Sequence, residues 1–136
     1  MKSWVYRILE KEKILSKKNN FSIGVLGLAY KENTNSVKNS PTLHLLKKLK
    51  NNKIRIYDPK AKLEKKIKNC TQVKNANFLI SNSNVIILMT PWPEFRKIDK
   101  ILKAQKKRKI ILIDPYRVMD FKEVKSKYIK YFTLGK

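Results

Sequence analysis

The sequence predicts an α/β domain: a three-layer sandwich around a mostly parallel sheet, preceded by an N-terminal helix. Three observations carry that prediction. Short, nearly continuous apolar runs alternate with amphipathic or lysine-rich stretches along the chain, as successive βαβ units require. The run Phe21–Leu28 lacks the strict alternation of a half-solvated sheet, so helices must cover both of its faces. Proline-bearing polar loops follow the runs at Tyr57-Asp58-Pro59, Thr90-Pro91-Trp92-Pro93 and Asp114-Pro115-Tyr116-Arg117, where strands hand over to loops.

The elements follow in order. Over residues 4–15, Trp4, Val5, Ile8, Leu9, Ile14 and Leu15 recur at helical spacing, which predicts an amphipathic helix ended by Lys17-Lys18-Asn19-Asn20. Phe21–Leu28 is the first strand. Ser40-Pro41 opens a helix, with serine as N-cap and proline at the first helical position. Leu43, Leu45, Leu46 and Leu49 give that helix its buried stripe, and Asn51-Asn52 stops it. Lys53–Tyr57 is the second strand. Residues 62–68 are expected to form a short helix, and 73–79 another with Val73, Ala76, Leu79 and Ile80 inward. Asn84–Met89 is the third strand, 94–105 a helix, and Lys109–Ile113 the fourth strand. Residues 121–126 are expected to be helical and 127–132 extended. Residues 1–20 are expected to be an N-terminal helix and linker, and 21–136 one domain.

Composition narrows the function classes. A chain of 136 residues with 42% hydrophobic side chains can bury a core without disulfides or metal. With one cysteine, Cys70, and one histidine, His44, neither a disulfide framework nor a cysteine–histidine zinc site is available. Cys70 has no base nearby in sequence, so a structural role is favoured over a nucleophilic one; His44 is expected on a helix surface. The longest apolar runs are too short to cross a bilayer, and the N-terminus lacks a signal-peptide pattern. The expectation is a cytoplasmic protein without a membrane partner. The net charge of +23 attracts anions of every kind. The lysines are spread through all polar segments instead of gathering on one motif, and solvated lysine faces are favoured over nucleic-acid binding.

The first strand and its loop form the leading site candidate. In an open α/β sheet, ligands sit outside the carboxyl ends of strands. Lys31 lies just past such an end, and Lys38 precedes the helix N-terminus, which favours anions. Thr34, Asn35, Ser36, Asn39 and Ser40 add short polar groups. The same residues equally describe an ordinary loop with solvated lysines. Gly24-x-x-Gly27 lacks the three-glycine dinucleotide fingerprint. Asp58 ends a strand where such folds place a ribose acceptor, but here a turn is favoured. Trp92 is expected to anchor its loop on the core, with base stacking the alternative. Arg117 can fork onto a phosphate or carboxylate.

The order Gly27-Leu28-Ala29-Tyr30-Lys31-Glu32-Asn33-Thr34-Asn35-Ser36-Val37-Lys38-Asn39-Ser40-Pro41 resembles, without a gap, the signature of the C-terminal, UDP-binding domain of the UDP-glucose/GDP-mannose dehydrogenase family. Tyr57-Asp58-Pro59, Trp92-Pro93-Glu94-Phe95, Asp114-Pro115-Tyr116-Arg117 and the ending Tyr131–Lys136 are similar to further family segments in the same order. The resemblance implies a Rossmann-like fold and a part in oxidising the C6 alcohol of a nucleotide-sugar to a carboxylate with NAD. It implies that Tyr30 and Lys31 contribute to the nucleotide-sugar site and that Lys38 faces the cofactor side. In an ungapped reading the family's loop arginine falls on Tyr116, so that Arg117, next to it, would have to substitute. Ser36 stands where aspartate is usual, and Lys38 where arginine is usual; a lysine cannot make the planar bidentate contact. The family's NAD fingerprint and cysteine-bearing central domain have no match in this sequence. The expectation is therefore a nucleotide-sugar-binding piece, from a split or truncated enzyme, that is not catalytic alone. Rival readings are a non-catalytic subunit docking on a separately encoded NAD-binding and central domain, and nonspecific polyanion binding.

Overall fold

The computed structural model describes residues 2–16, 18, 20–31, 33–38, 40–49, 51–105, 107–120, 122 and 126–134. The elements are α1 (Lys2–Lys11), β1 (Ser22–Leu26), α2 (Pro41–Lys48), β2 (Lys53–Tyr57), β3 (Cys70–Gln72), α3 (Ala76–Ser81), β4 (Val85–Leu88), a 3-10 helix (Pro93–Lys97), α4 (Asp99–Lys103), β5 (Ile110–Asp114) and β6 (Ile129–Thr133). The six strands form one sheet in the order β3-β2-β1-β4-β5-β6. Every strand pairing is parallel, so the expectation of a mostly parallel Rossmann-like sheet holds. The order reverses between β1 and β4. There the loops after neighbouring strands diverge to opposite faces and leave a crevice at the carboxyl ends.

The central strands are buried on both faces, as their continuous apolar sequence requires. Residues 23–26 and 85–88 are all buried, and Val25 pairs in register with both Ile56 and Ile87. Ile23, Val25, Leu26, Ile54, Ile56, Ile87 and Leu112 share one core with Leu45, Leu46, Leu49, Leu79 and Ile80 from the helices. Helix α1 packs on α2, and α3 packs on β1, β2 and α4. Val5, Leu9 and Ile14 belong to the same core. Asn52 Nδ2 donates to the Ile14 and Phe21 carbonyls at 3.1 Å each, tying the α1–β1 connection to the α2–β2 turn.

Helix α2 begins where the Ser-Pro signal places it. Ser40 Oγ accepts from Thr42 N at 3.1 Å, the N-cap bond. Helix α3 starts at Ala76 instead of 73 because Asn75 is the cap, its Oδ1 accepting from Phe78 N at 2.7 Å. Strand β1 stops at Leu26, two residues early, because Gly27 turns to φ +109°.

Three expectations are corrected. Residues 62–68 form no helix; Gln72 Oε1 takes the Leu63 amide at 2.8 Å and Gln72 Nε2 gives to the Ala61 carbonyl at 2.9 Å. Those bonds tie the start of the segment to Gln72 of β3; the Leu63 amide would lack a partner in the first turn of a helix. The strand that follows, β3, was not expected. Among the described residues it pairs with β2 alone, and an edge strand of three residues shows no apolar pattern. The helix expected over 94–105 is two pieces, a 3-10 turn opened by Pro93 and then α4, meeting at Ile98. The expected helix at 121–126 falls largely outside the described residues, and the extended C-terminal segment is β6.

Candidate functional site

One carboxylate joins three loops of the strand-end rim. Asp58 follows β2 and is 7% exposed. Its Oδ2 accepts from Leu28 N at 2.8 Å, Ala29 N at 2.9 Å and the Trp92 indole N–H at 3.1 Å. Its Oδ1 accepts from Lys60 N at 2.8 Å and Ala61 N at 2.7 Å. The loops after β1, β2 and β4 therefore share one acceptor. Asp58 is the turn its sequence suggested, and Trp92, 4% exposed, is the anchor its sequence suggested.

The loop after β1 is fixed at its base. Ser40 Oγ donates to the Leu28 carbonyl at 2.7 Å and Thr42 Oγ1 to the Gly27 carbonyl at 2.8 Å. Thr90 Oγ1 reaches across from β4 to the Ala29 carbonyl at 3.0 Å. Tyr30 N donates to the Ser36 carbonyl at 2.7 Å, pinching the loop shut around its tip. Immediately beyond these anchors, Tyr30 is 54% exposed and Lys31 is exposed.

The loop after β5 is fixed in the same way. Asp114, fully buried, accepts from Val118 N and Met119 N at 2.9 Å each and from the Tyr131 phenol at 2.7 Å. Burial and the bond to Asp114 push the Tyr131 phenol well above its usual range. Arg117, exposed, sits on this loop at φ +51°, beside the exposed Tyr116. Tyr57, at the end of β2, donates to Glu94 Oε2 in the 3-10 turn after β4 at 3.0 Å. Burial, then that bond, push its phenol up to about 12.

Lys38 lies elsewhere on the loop after β1. It lines a cleft of about 830 Å³ with Leu43, Lys47, Leu63, Lys65 and Lys66. Among the described residues no ion pair holds Lys31, Lys38 or Arg117. Lys31 and Arg117 thus share the strand-end rim, while Lys38 faces the 63–67 segment. The sequence did not single out Lys65 and Lys66, because their place beside Lys38 depends on an irregular segment folding back. Cys70 opens β3 half-buried, and burial raises its thiol to about 11, so it is protonated near neutral pH and a poor nucleophile. His44 is exposed on α2. Among the described residues no group of His, Cys, Asp and Glu is placed to hold a metal ion, and no helix is long and apolar enough to cross a membrane.

These residues do not fit a dinucleotide cofactor at the β1 crevice. The acid at the tip of β2, which would take the ribose hydroxyls, is filled by protein N–H groups. The N-terminus of α2 is capped by Ser40, and the long stretch from Gly27 to Ser40 replaces a tight glycine turn.

The fold and rim define a doubly wound parallel α/β domain with a cationic, aromatic-bearing loop at its switch point. The sequence matches the model of the UDP-glucose/GDP-mannose dehydrogenase family, UDP binding domain, over residues 24–121, and the chain belongs to that family. It is 33% identical over 123 residues to a UDP-glucose 6-dehydrogenase of Rickettsia bellii, a match covering 84% of this chain and 28% of the relative. Among solved structures, an NDP-N-acetyl-D-galactosaminuronic acid dehydrogenase from Methanosarcina mazei superposes with a TM-score of 0.81 at 18% identity, over 100% of this chain and 29% of its own. A UDP-D-ManNAc dehydrogenase from Pyrococcus horikoshii does so with a TM-score of 0.68 at 24% identity, over 96% and 29%. These two show the shared fold. The chain spans under a third of the length of the relatives it matches.

Proposed function

We propose that the domain binds the diphosphate and sugar of a UDP-sugar along the strand-end rim. Lys31 contacts the diphosphate, Tyr30 lies beside the sugar, and Arg117 supplies a second cation from the loop after β5. Lys38 faces the cofactor side and adds charge toward NAD held by other domains. The family supports this reading, and one observation carries it. The loop after β1 is pinned by Asp58, Ser40, Thr42 and Thr90, yet turns Tyr30 and Lys31 outward at the switch point. A loop fixed at its base that presents a cation and an aromatic ring is a preorganised half-site.

Dehydrogenation needs more than this domain. With its raised thiol, Cys70 offers no thiolate for covalent chemistry. The domain works with the NAD-binding and cysteine-bearing parts that the family resemblance implies, in the cytoplasm, and contributes substrate binding rather than the hydride step.

Titration of UDP-glucose against wild type and Lys31→Ala tests the assignment. Saturable binding is expected, weakened about tenfold or more by loss of the charged donor. Equal affinity of the two proteins would remove Lys31 from the site. A response to inorganic pyrophosphate as strong as that to UDP-glucose, falling steeply with salt, would support polyanion attraction alone.

A further inference from the structure

The position that accepts ribose hydroxyls in dinucleotide folds has been turned inward in this domain. We infer that Asp58 is a positioning residue for the nucleotide-sugar site, with Trp92 as its partner from the loop after β4. This inference rests on the function proposed above.

The geometry is specific. Asp58 Oδ2 takes two consecutive amides, Leu28 N and Ala29 N, and the next residues are Tyr30 and Lys31. The direction in which those side chains leave the sheet is set by the turn that these bonds fix. The same oxygen takes the Trp92 indole, and Trp92 N donates to the Thr90 carbonyl at 2.9 Å. Thr90 in turn holds the Ala29 carbonyl. A closed circuit thus runs from Asp58 through Ala29, Thr90 and Trp92 back to Asp58, joining strand ends that flank the crevice. Charge-assisted bonds of this kind are stronger than neutral ones, and stronger still away from water. With its oxygens occupied and the group buried, Asp58 does not reach a ligand. It acts through the backbone of the residues that do.

The test compares UDP with 2′-deoxy-UDP on wild type, Asp58→Asn and Trp92→Phe, each as the full chain. Binding is read by amide shifts and local order by amide hydrogen exchange. Asp58→Asn keeps the shape but turns one acceptor into a donor. Trp92→Phe removes the indole bond together with part of the buried ring's volume, and serves as the second variant if Asp58→Asn does not fold. The expected result is that Asp58→Asn weakens both nucleotides by the same factor, about tenfold, as losses of supporting contacts do. Trp92→Phe weakens both less. Exchange rises at Leu28 and Ala29 while β5 and β6 stay protected.

Weakening of UDP alone, with 2′-deoxy-UDP unaffected, would overturn the inference by making Asp58 a ribose acceptor. Unchanged affinity in folded Asp58→Asn and Trp92→Phe would reduce Asp58 to a purely structural part. Absence of binding to wild type would overturn the nucleotide reading itself, and this inference with it.

Discussion

Gly27 is where the chain leaves β1 and cannot carry a side chain. Its φ is +109°, and an added methyl would lie 2.5 Å from Thr90 N and Cβ. Only glycine adopts that backbone without strain. Gly27→Ala should therefore destabilise the domain by about 3 kcal/mol or more, strain and overlap together, measured by urea unfolding. A loss below about 1 kcal/mol would mean that the β1–β4 crevice is looser than described. The glycine was visible in the sequence, but the reason for it was not: Thr90 is distant in the chain and comes to Gly27 only because β1 and β4 pair in register. Asp58 shows the same limit. Its place before Pro59 marked a turn, which the Lys60 and Ala61 amides complete locally, whereas the indole and the Leu28 and Ala29 amides come from the loops after other strands.

Helix α2 shows what a local signal can specify. Ser40 caps the helix and also satisfies the buried Leu28 carbonyl, so Ser40→Ala removes a cap and leaves an acceptor without a partner. The expected cost is about 2–3 kcal/mol, read as a drop in the denaturant midpoint with an unchanged slope. An effect under about 0.5 kcal/mol would show that water replaces both bonds. Elements with such signals, with continuous apolar runs or with clear alternation were legible: α2; β1, β4 and β5; and β2. Leu63 and Ile67 have helical spacing, yet their segment is irregular, its start bound to the Gln72 side chain through the Ala61 carbonyl and the Leu63 amide. Spacing reports which residues face inward and is silent on a competing side-chain bond. Strand β3 escaped notice because Thr71 is exposed and its neighbours only half-buried; an edge position removes the pattern by which buried strands are read.

The whole molecule carries 33 cationic side chains against 10 acidic ones. Among the described residues, ion pairs join only Lys103 to Asp99 at 4.0 Å and Lys130 to Glu12 at 2.7 Å. Two surface pairs offset little of that repulsion; the buried core holds the sheet against it. Charge of this size draws anions to every face, so affinity for a phosphate alone does not locate a site. Location discriminates. The candidate loop was legible because the signature from Gly27 to Pro41 falls on one strand-end loop. Its limits were not, since Lys38 turns toward Lys65 and Lys66 in a cleft defined only by the folded chain. The most direct measurement is an amide-shift map of the full chain titrated with UDP-glucose at moderate salt. Saturable shifts confined to residues 28–41, 90–95 and 114–117 are predicted. Shifts spread over lysine-bearing surfaces, or confined to the α1 and β6 side of the sheet, would contradict a nucleotide-sugar site on the strand-end rim.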